Sequence, residues 1–336
     1  MKKKATTTIG ILISGVFLYI ALKGVSFDEL IGALKQCNYL YLIPAFIVMY
    51  LLFVIRTMRW YYLVKPLKET SFNHRFSATI IGFMTNNILP VRIGEFVRAY
   101  VLGADEGIKK SSVFGTIVIE RLFDGMSLLL ILLVTFLAVD LEARLPAEVA
   151  ANLKIAGYVA LALYAAIIVF IITYNVTSKY LFKFLAIFSD KFSDNIATHL
   201  NSFKAGLTLD TSFKNIAIIS FYSILHWIFC ALPIYIVIKG FGLNLPIEVA
   251  FVVLIFKAFA VMIPAAPGYI GTVNIAVMVA LALYGVPERP DGVSISFVVW
   301  AVDFLPPVVL GFIMLWAKNM SLKGVEESAQ AEKMEG

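Results

Sequence analysis

Asn86-Asn87-Ile88-Leu89-Pro90-Val91-Arg92-Ile93-Gly94-Glu95-Phe96-Val97-Arg98 leaves an apolar run, breaks at Pro90 and resumes with charge. A second stretch, Ile263-Pro264-Ala265-Ala266-Pro267-Gly268-Tyr269-Ile270-Gly271-Thr272-Val273-Asn274, breaks the same way in the other half of the chain, with glycines after the prolines. Paired interruptions of apolar segments, one in each half, point to a binding site built near the bilayer midplane by a repeat. The function class this predicts is transport.

The surrounding composition makes the membrane assignment. The chain of 336 residues is 60% hydrophobic and 15% charged, with a mean hydropathy of +0.88. A water-soluble domain could not hide that much apolar surface. The net charge of +6 does not point to nucleic acid, because the basic residues flank apolar segments and form no single stripe with interleaved aromatics. Cys37 and Cys230 have no metal-ligand or CxxC spacing and read as packing residues. His74, His199 and His226 are scattered, and no hydrolase, zinc-protease or P-loop motif occurs in a usable context. The sequence therefore predicts no metal, no cofactor and no enzyme activity.

Candidate spans are 7–22, 39–64, 112–139, 153–173, 215–239 and 293–317, with interrupted segments at 76–103 and 249–285. The first reads as a retained helix with a cytoplasmic N-terminus, since Ile20-Ala21-Leu22-Lys23 offers no small-x-small cleavage site. Crossing about 30 Å of hydrocarbon takes about 20 helical residues. The arms of 76–103 are too short for that, so re-entrant hairpins are expected. The spans then alternate, and the basic residues distribute as the positive-inside rule requires. Lys2, Lys3, Lys4, Lys65, Lys68, Arg75, Lys109, Lys110, Lys318 and Lys323 fall on the cytoplasmic side with both termini.

The expected architecture is an all-α polytopic membrane protein, a single domain of two inverted repeat units. Unit one covers 39–139 with its re-entrant segment at 76–103. Unit two covers 215–317 with its re-entrant segment at 249–285, and span 153–173 inverts it. Ile119-Glu120-Arg121-Leu122-Phe123-Asp124-Gly125 in unit one matches Trp300-Ala301-Val302-Asp303-Phe304-Leu305-Pro306 in unit two, although apolar helices resemble one another by chance. Segment 174–214, rich in lysine and phenylalanine, reads as a cytoplasmic interfacial helix or an ordinary loop helix. The tail 324–336 reads as disordered.

Charge inside an apolar segment is costly and needs a partner, water or a function. Arg92, Glu95 and Arg98, spaced by three, share a face if a helix starts at Arg92. They read either as a mutual salt-bridge network or as a seat for an anionic headgroup, which arginine's planar fork suits. Glu120 and Asp124, four apart, read as counter-ions to those arginines or as groups that exchange protons. In unit two, Lys257, Asn274 and Asp303 are the polar candidates; Pro306 and Pro307 free the carbonyls of Val302 and Asp303. Gly268 and Gly271 after Pro267 form a tight turn that would also let a ligand approach backbone donors. Arg56 and Arg59, beside Trp60, Tyr61 and Tyr62, fit an interfacial anchor or a pair that attracts anionic lipid headgroups.

The strings Asn87-Ile88-Leu89-Pro90-Val91-Arg92-Ile93-Gly94-Glu95-Phe96-Val97-Arg98-Ala99, Glu120-Arg121-Leu122-Phe123-Asp124-Gly125 and Pro264-Ala265-Ala266-Pro267-Gly268-Tyr269-Ile270-Gly271-Thr272, in that order, resemble the lysylphosphatidylglycerol synthase transmembrane-region family. That family includes the flippase domain of the multiple-peptide-resistance proteins and stand-alone prokaryotic members. The resemblance implies movement of a lipid between leaflets of a prokaryotic plasma membrane; lysyl transfer is not implied. It points to Asn87, Pro90, Arg92, Gly94, Glu95, Arg98, Glu120, Arg121, Asp124, Pro264, Pro267, Gly268 and Gly271. The expected partner is a lipid with an anionic headgroup, an anionic phospholipid or a polyprenyl-phosphate-linked lipid. A homo-oligomer is compatible with this reading. An intramembrane enzyme acting on a lipid-linked substrate and a non-transporting scaffold subunit remain alternatives.

Overall fold

The computed structural model describes residues 15–16, 18–23, 27–89, 93–139, 155, 158–159, 162, 212–263, 267–322 and 324. Most of span 153–173, residues 174–211 of segment 174–214, nearly all of the tail and most of span 7–22 therefore lie outside the described residues. So do Pro90, Arg92 and Pro264. The described helices are α1 (Phe27–Lys35), α2 (Leu42–Val64), α3 (Phe72–Ile88), α4 (Gly94–Glu106), α5 (Lys110–Ala138), α6 (Phe213–Gly240), α7 (Glu248–Met262), α8 (Thr272–Ala282) and α9 (Val293–Ala317). No strand occurs among the described residues. Three helical segments, Tyr39–Val64, Phe213–Gly240 and Glu288–Ala317, are long and apolar enough to cross a membrane. Their outward apolar side chains, such as Ile43, Ile47, Val309, Phe312 and Trp316, are exposed, as a lipid-facing jacket requires.

The interrupted segments fold as helix, break, helix. The arms α3 and α4 have 17 and 13 residues, and α7 and α8 have 15 and 11, all below the roughly 20 needed to span. Both restarts are secured by asparagine. Asn86 Oδ1 accepts the Gly94 amide at 2.7 Å where α4 begins, and Asn274 Oδ1 accepts the Gly271 amide at 2.9 Å where α8 begins. Such side-chain acceptors satisfy helix-start amides that have no partner within the helix.

Glycine makes the close packing of α3 on α4 possible. A Cβ on Gly94 would collide with the Gly82 carbonyl and the Asn86 side chain, and one on Gly82 with the Arg98 side chain and the Gly94 carbonyl. Gly94→Ala is expected to destabilise the protein by about 1–3 kcal/mol through overpacking. Thermal unfolding in detergent measures it, with Gly32→Ala, where a Cβ meets nothing, as the control that should not lose stability.

Polar contacts hold helix ends together at both ends of the bundle. Glu106, the last residue of α4, accepts from the Ser71 amide at 2.9 Å just before α3 and pairs with Lys68 at 3.2 Å and His74 at 2.7 Å. Both ends of the first pair are thus held together near the C-terminus of α2. Lys318, after α9, joins them through Asp105 at 2.6 Å. At the other end, the Asn38 amide donates to the Gly240 carbonyl at 2.7 Å, which ties the start of α2 to the end of α6, where α7 follows. Helices α2 and α6 pack along each other, as do α3 and α9.

Burial works against the Glu106 charge, but the Ser71 amide, His74 and Lys68 outweigh it and hold this carboxyl below the usual carboxylate range. A depressed folded value contributes stability that is present above the unfolded value and lost as pH falls through the folded one. Amide exchange at the start of α3 is therefore expected to accelerate below about pH 4. In Glu106→Gln that acid-dependent step should be absent.

Candidate functional site

The site assembles at the inner faces of α2, α4, α5 and α6. Glu120 and Asp124 lie one turn apart on α5, so their carboxylates share a face. Arg59 of α2, fully buried, joins them: its Nη2 donates to Glu120 Oε1 at 2.8 Å, and its Nη1 donates to Asp124 Oδ1 and to Ser223 Oγ at 3.0 Å. Arg98 of α4, 1% exposed, grips Glu120 with both terminal nitrogens at 2.9 and 3.3 Å. Its guanidinium lies 4.1 Å from the ring centroid of Trp60, whose Nε1 donates to Thr116 at 3.0 Å. Arg121 reaches Glu120 at 3.3 Å and Asp124 at 3.4 Å, and its side chain alone is substantially open, at 39% exposure. Arg56 stands over Phe83 at 4.3 Å, donates to His226 Nε2 at 2.8 Å and is 4.0 Å from Glu120.

Charge does not balance here among the described residues. Four guanidiniums, Arg56, Arg59, Arg98 and Arg121, face two carboxylates, Glu120 and Asp124. Glu95, within Coulomb reach of Arg121, offsets one of the two surplus charges. Among the described residues, the Nε donors of all four arginines have no hydrogen-bond acceptor. Buried cations in excess of their counter-ions call for an anion. Fork-shaped donors meeting around one opening suit the oxygens of a phosphate.

The structure places the remaining candidates as follows. Glu95 does not pair with Arg98 across a shared face; its carboxylate accepts from Asn86 Nδ2 at 3.2 and 3.3 Å. The helix starts at Gly94, after the break, so the expected start at Arg92 is corrected: an asparagine cap fixes the restart. Lys257 and Asp303 pair with each other in the second unit. Asn274 is fully buried and bonded to the Gly271 amide at the α8 cap and to Ser296 Oγ, at 3.1 Å.

Pro267, Gly268 and Tyr269 make the short turn between α7 and α8, with Gly268 at φ +73° and Gly271 at φ +89°, conformations that glycine adopts without penalty. The Gly268 carbonyl accepts from Trp300 Nε1 at 2.7 Å. A Cβ there would strike the Phe304 ring and come to 3.7 Å from the Asn87 carbonyl. The two breaks therefore lie against each other.

Arg56 and Arg59 correct the interfacial-anchor reading. Trp60, Tyr61 and Tyr62 imitate an aromatic belt, but Arg59 and Trp60 are both 0% exposed. The same cost argument that singled out Arg92 and Arg98 applied to them. Ser223 and His226 carried no signal, since only the packing of α6 on α2 brings them in. Glu120 does serve Arg98, as expected, yet Arg59 is the residue that bridges both carboxylates.

Comparison with known proteins decides the family. The model of the lysylphosphatidylglycerol synthase transmembrane region matches residues 7–311. The chain belongs to that family. It is also 25% identical over 326 residues to a UPF0104 membrane protein of Methanocaldococcus jannaschii, covering 94% of this chain and 96% of that one. A UPF0104 membrane protein of Methanothermobacter thermautotrophicus is 23% identical over 317 residues, covering 91% of each. The chain is thus a membrane protein of a lipid-related family. The matched residues take in both breaks and the arginine cluster.

Proposed function

We propose that the protein is a translocase that moves an anionic lipid, an anionic phospholipid or a polyprenyl-phosphate-linked lipid, between leaflets of a prokaryotic plasma membrane. The observation that carries this reading is the buried arginine cluster, which among the described residues has more guanidinium than carboxylate and four unpartnered Nε donors, beside a broken helix. The headgroup enters past Arg121 and is held by Arg98 and its neighbours, while the tails remain in the bilayer.

The fold supports alternating access by two inverted units with re-entrant hairpins. The α3/α4 pair opens at the end that holds Lys68 and Lys318, and the α7/α8 pair starts at the end that holds Asn38 and Gly240. Most packings in the first set have a counterpart in the second: α2 on α3 and α6 on α7, α4 on α5 and α8 on α9, α2 on α5 and α6 on α9. The exception is the extensive contact of α3 with α9, which far exceeds that of α5 with α7. The lysine-bearing end is assigned to the cytoplasm by the positive-inside rule.

The test is movement of fluorescent phosphatidylglycerol and phosphatidylcholine across vesicles holding the purified chain. Arg98→Ala and Arg121→Ala are compared with the unmodified protein after folding is checked by size exclusion. Each arginine–phosphate bond is worth about 1.5–3 kcal/mol, so movement of the anionic lipid should fall about tenfold or more in either folded variant. Unchanged movement in both would sink the proposal. Chemical conversion of the lipid would favour an enzyme, and stable co-purification with a partner and no lipid movement would favour a scaffold.

A further inference from the structure

Among the described residues, three of the four guanidiniums in the cluster are hydrogen-bonded to carboxylate, and the fourth, Arg56, is not. Arg59 bridges Glu120 and Asp124, Arg98 donates to both oxygens of Glu120, and Arg121 reaches Glu120. Glu120 Oε1 thus already accepts from three donors, more than its two lone pairs serve well, and Arg56 Nη1 stops 4.0 Å from it. The hydrogen bond that the Arg56 side chain does make runs from Nη2 to His226 Nε2, at 2.8 Å. Its Nε and Nη1 have no acceptor among the described residues, although the side chain is only 9% exposed. Arg59, Arg98 and Arg121 each leave a buried Nε in that condition; Arg56 leaves a buried terminal nitrogen as well.

The partner of Arg56 explains the difference. An imidazole nitrogen that accepts from a guanidinium carries no proton, so the ring proton of His226 is on Nδ1 and the ring is neutral. The sulfur of Cys230, a weak acceptor, lies 3.9 Å from that Nδ1. A neutral acceptor fixes where a cation points without cancelling its charge. His226 is fully buried and tilts against Trp227, whose Nε1 donates to the Asp124 carbonyl at 2.8 Å, so α6 holds the imidazole in place against α5. The Phe83 ring of α3 covers one face of the Arg56 guanidinium at 4.3 Å and is itself met edge-on by Phe53 of α2. With an apolar ring on one face and a neutral acceptor at one nitrogen, the remaining donors are left for a ligand that brings its own negative charge.

We infer that Arg56 binds the phosphate oxygens of the headgroup and that His226 is the positioning residue that aims it. Arg121, the open member of the cluster, and Arg56 converge on the same oxygen, Glu120 Oε1, so an anion that passes Arg121 meets Arg56 next. Arg59 and Arg98 set the frame through their carboxylates, and Arg56 supplies the donors that the frame leaves free. The lipid nature of the ligand rests on the translocase reading, whereas the anion seat at Arg56 does not.

Stability and binding of the full chain in detergent test this together. Arg56→Gln keeps an amide donor and removes the charge that the network leaves uncancelled, so without lipid its Tm should equal or exceed that of the unmodified protein, in contrast to Arg59→Met. A loss as large as that of Arg59→Met would make Arg56 a structural member of the network and overturn the inference. In calorimetric titration, short-chain phosphatidylglycerol should bind Arg56→Gln about tenfold more weakly, or worse. His226→Leu, which removes the acceptor, should weaken binding too, and His226→Gln, whose amide oxygen can accept from Arg56, should recover much of that loss. Unchanged affinity in Arg56→Gln overturns Arg56 as the ligand, and equal losses in the two His226 variants overturn the positioning role. Either result leaves the translocase reading standing, since the unmodified protein still binds the lipid. Dimethyl phosphate, a diester without tails, and inorganic phosphate separate the sources of the anion: both should bind more weakly than the lipid and lose affinity in Arg56→Gln. Binding as tight as the lipid's would make the ligand a water-soluble phosphate, which overturns the lipid cargo and keeps Arg56 as the seat. Failure of all three to bind the unmodified protein overturns the site and the translocase reading alike.

Discussion

Arg59→Met is expected to lower the stability of the detergent-solubilised protein by about 3–5 kcal/mol, the usual cost of removing one partner from a buried ion network. Arg59 is fully buried and is the shared partner of Glu120, Asp124 and Ser223. Methionine fills the space but leaves two carboxylates facing each other with fewer cations between them. The triple variant Arg59→Met with Glu120→Gln and Asp124→Asn should recover much of the loss, because the repelling charges go with the arginine. Denaturant or thermal unfolding of the unmodified protein, Arg59→Met, the double variant Glu120→Gln with Asp124→Asn and the triple variant forms a cycle whose coupling energy reads the network directly. Additive losses would mean that Arg59 acts through packing alone.

Glu120→Gln is expected to be comparably destabilising for the opposite reason. It strips the main counter-ion from Arg98 and Arg59 and leaves Asp124 to face four guanidiniums. Repulsion among those guanidiniums replaces attraction, at a cost again of about 3–5 kcal/mol. This variant should differ from Arg59→Met in its response to anions. A ligand that binds only the folded state stabilises it by mass action, so phosphatidylglycerol should raise the Tm of Glu120→Gln more than that of the unmodified protein. Phosphatidylcholine should not. Equal shifts with both lipids would show that the cluster has no preference for negative charge and would remove the main support for an anionic cargo.

These two variants also mark where sequence reasoning succeeded and where it stopped. The helical segments were legible to within a few residues: 112–139 against Lys110–Ala138, 215–239 against Phe213–Gly240, and 293–317 against Val293–Ala317. Membrane helices satisfy their own backbone and must be apolar for a fixed length, so local composition suffices to find them. The breaks were equally visible, since proline and glycine act on their own turn of helix. Arg98, Glu120 and Asp124 announced themselves by the cost of charge in apolar surroundings.

Partnership was not legible. Arg59 looked like a belt residue and Glu95 like a partner of Arg98, because spacing along one helix says nothing about which helix lies opposite. By itself the sequence determined that the chain is a helical membrane protein with two broken segments and where its charges lie along them. The packing of α6 along α2 decided that Arg59 sits at the centre of the cluster and Ser223 beside it. The contact of α3 with α9 and of Gly268 with the first break decided that the two interruptions meet. Periodicity and composition are short-range properties of the chain, whereas ion pairing in a buried site depends on distances of a few ångströms between side chains far apart in sequence, and only the tertiary structure sets those.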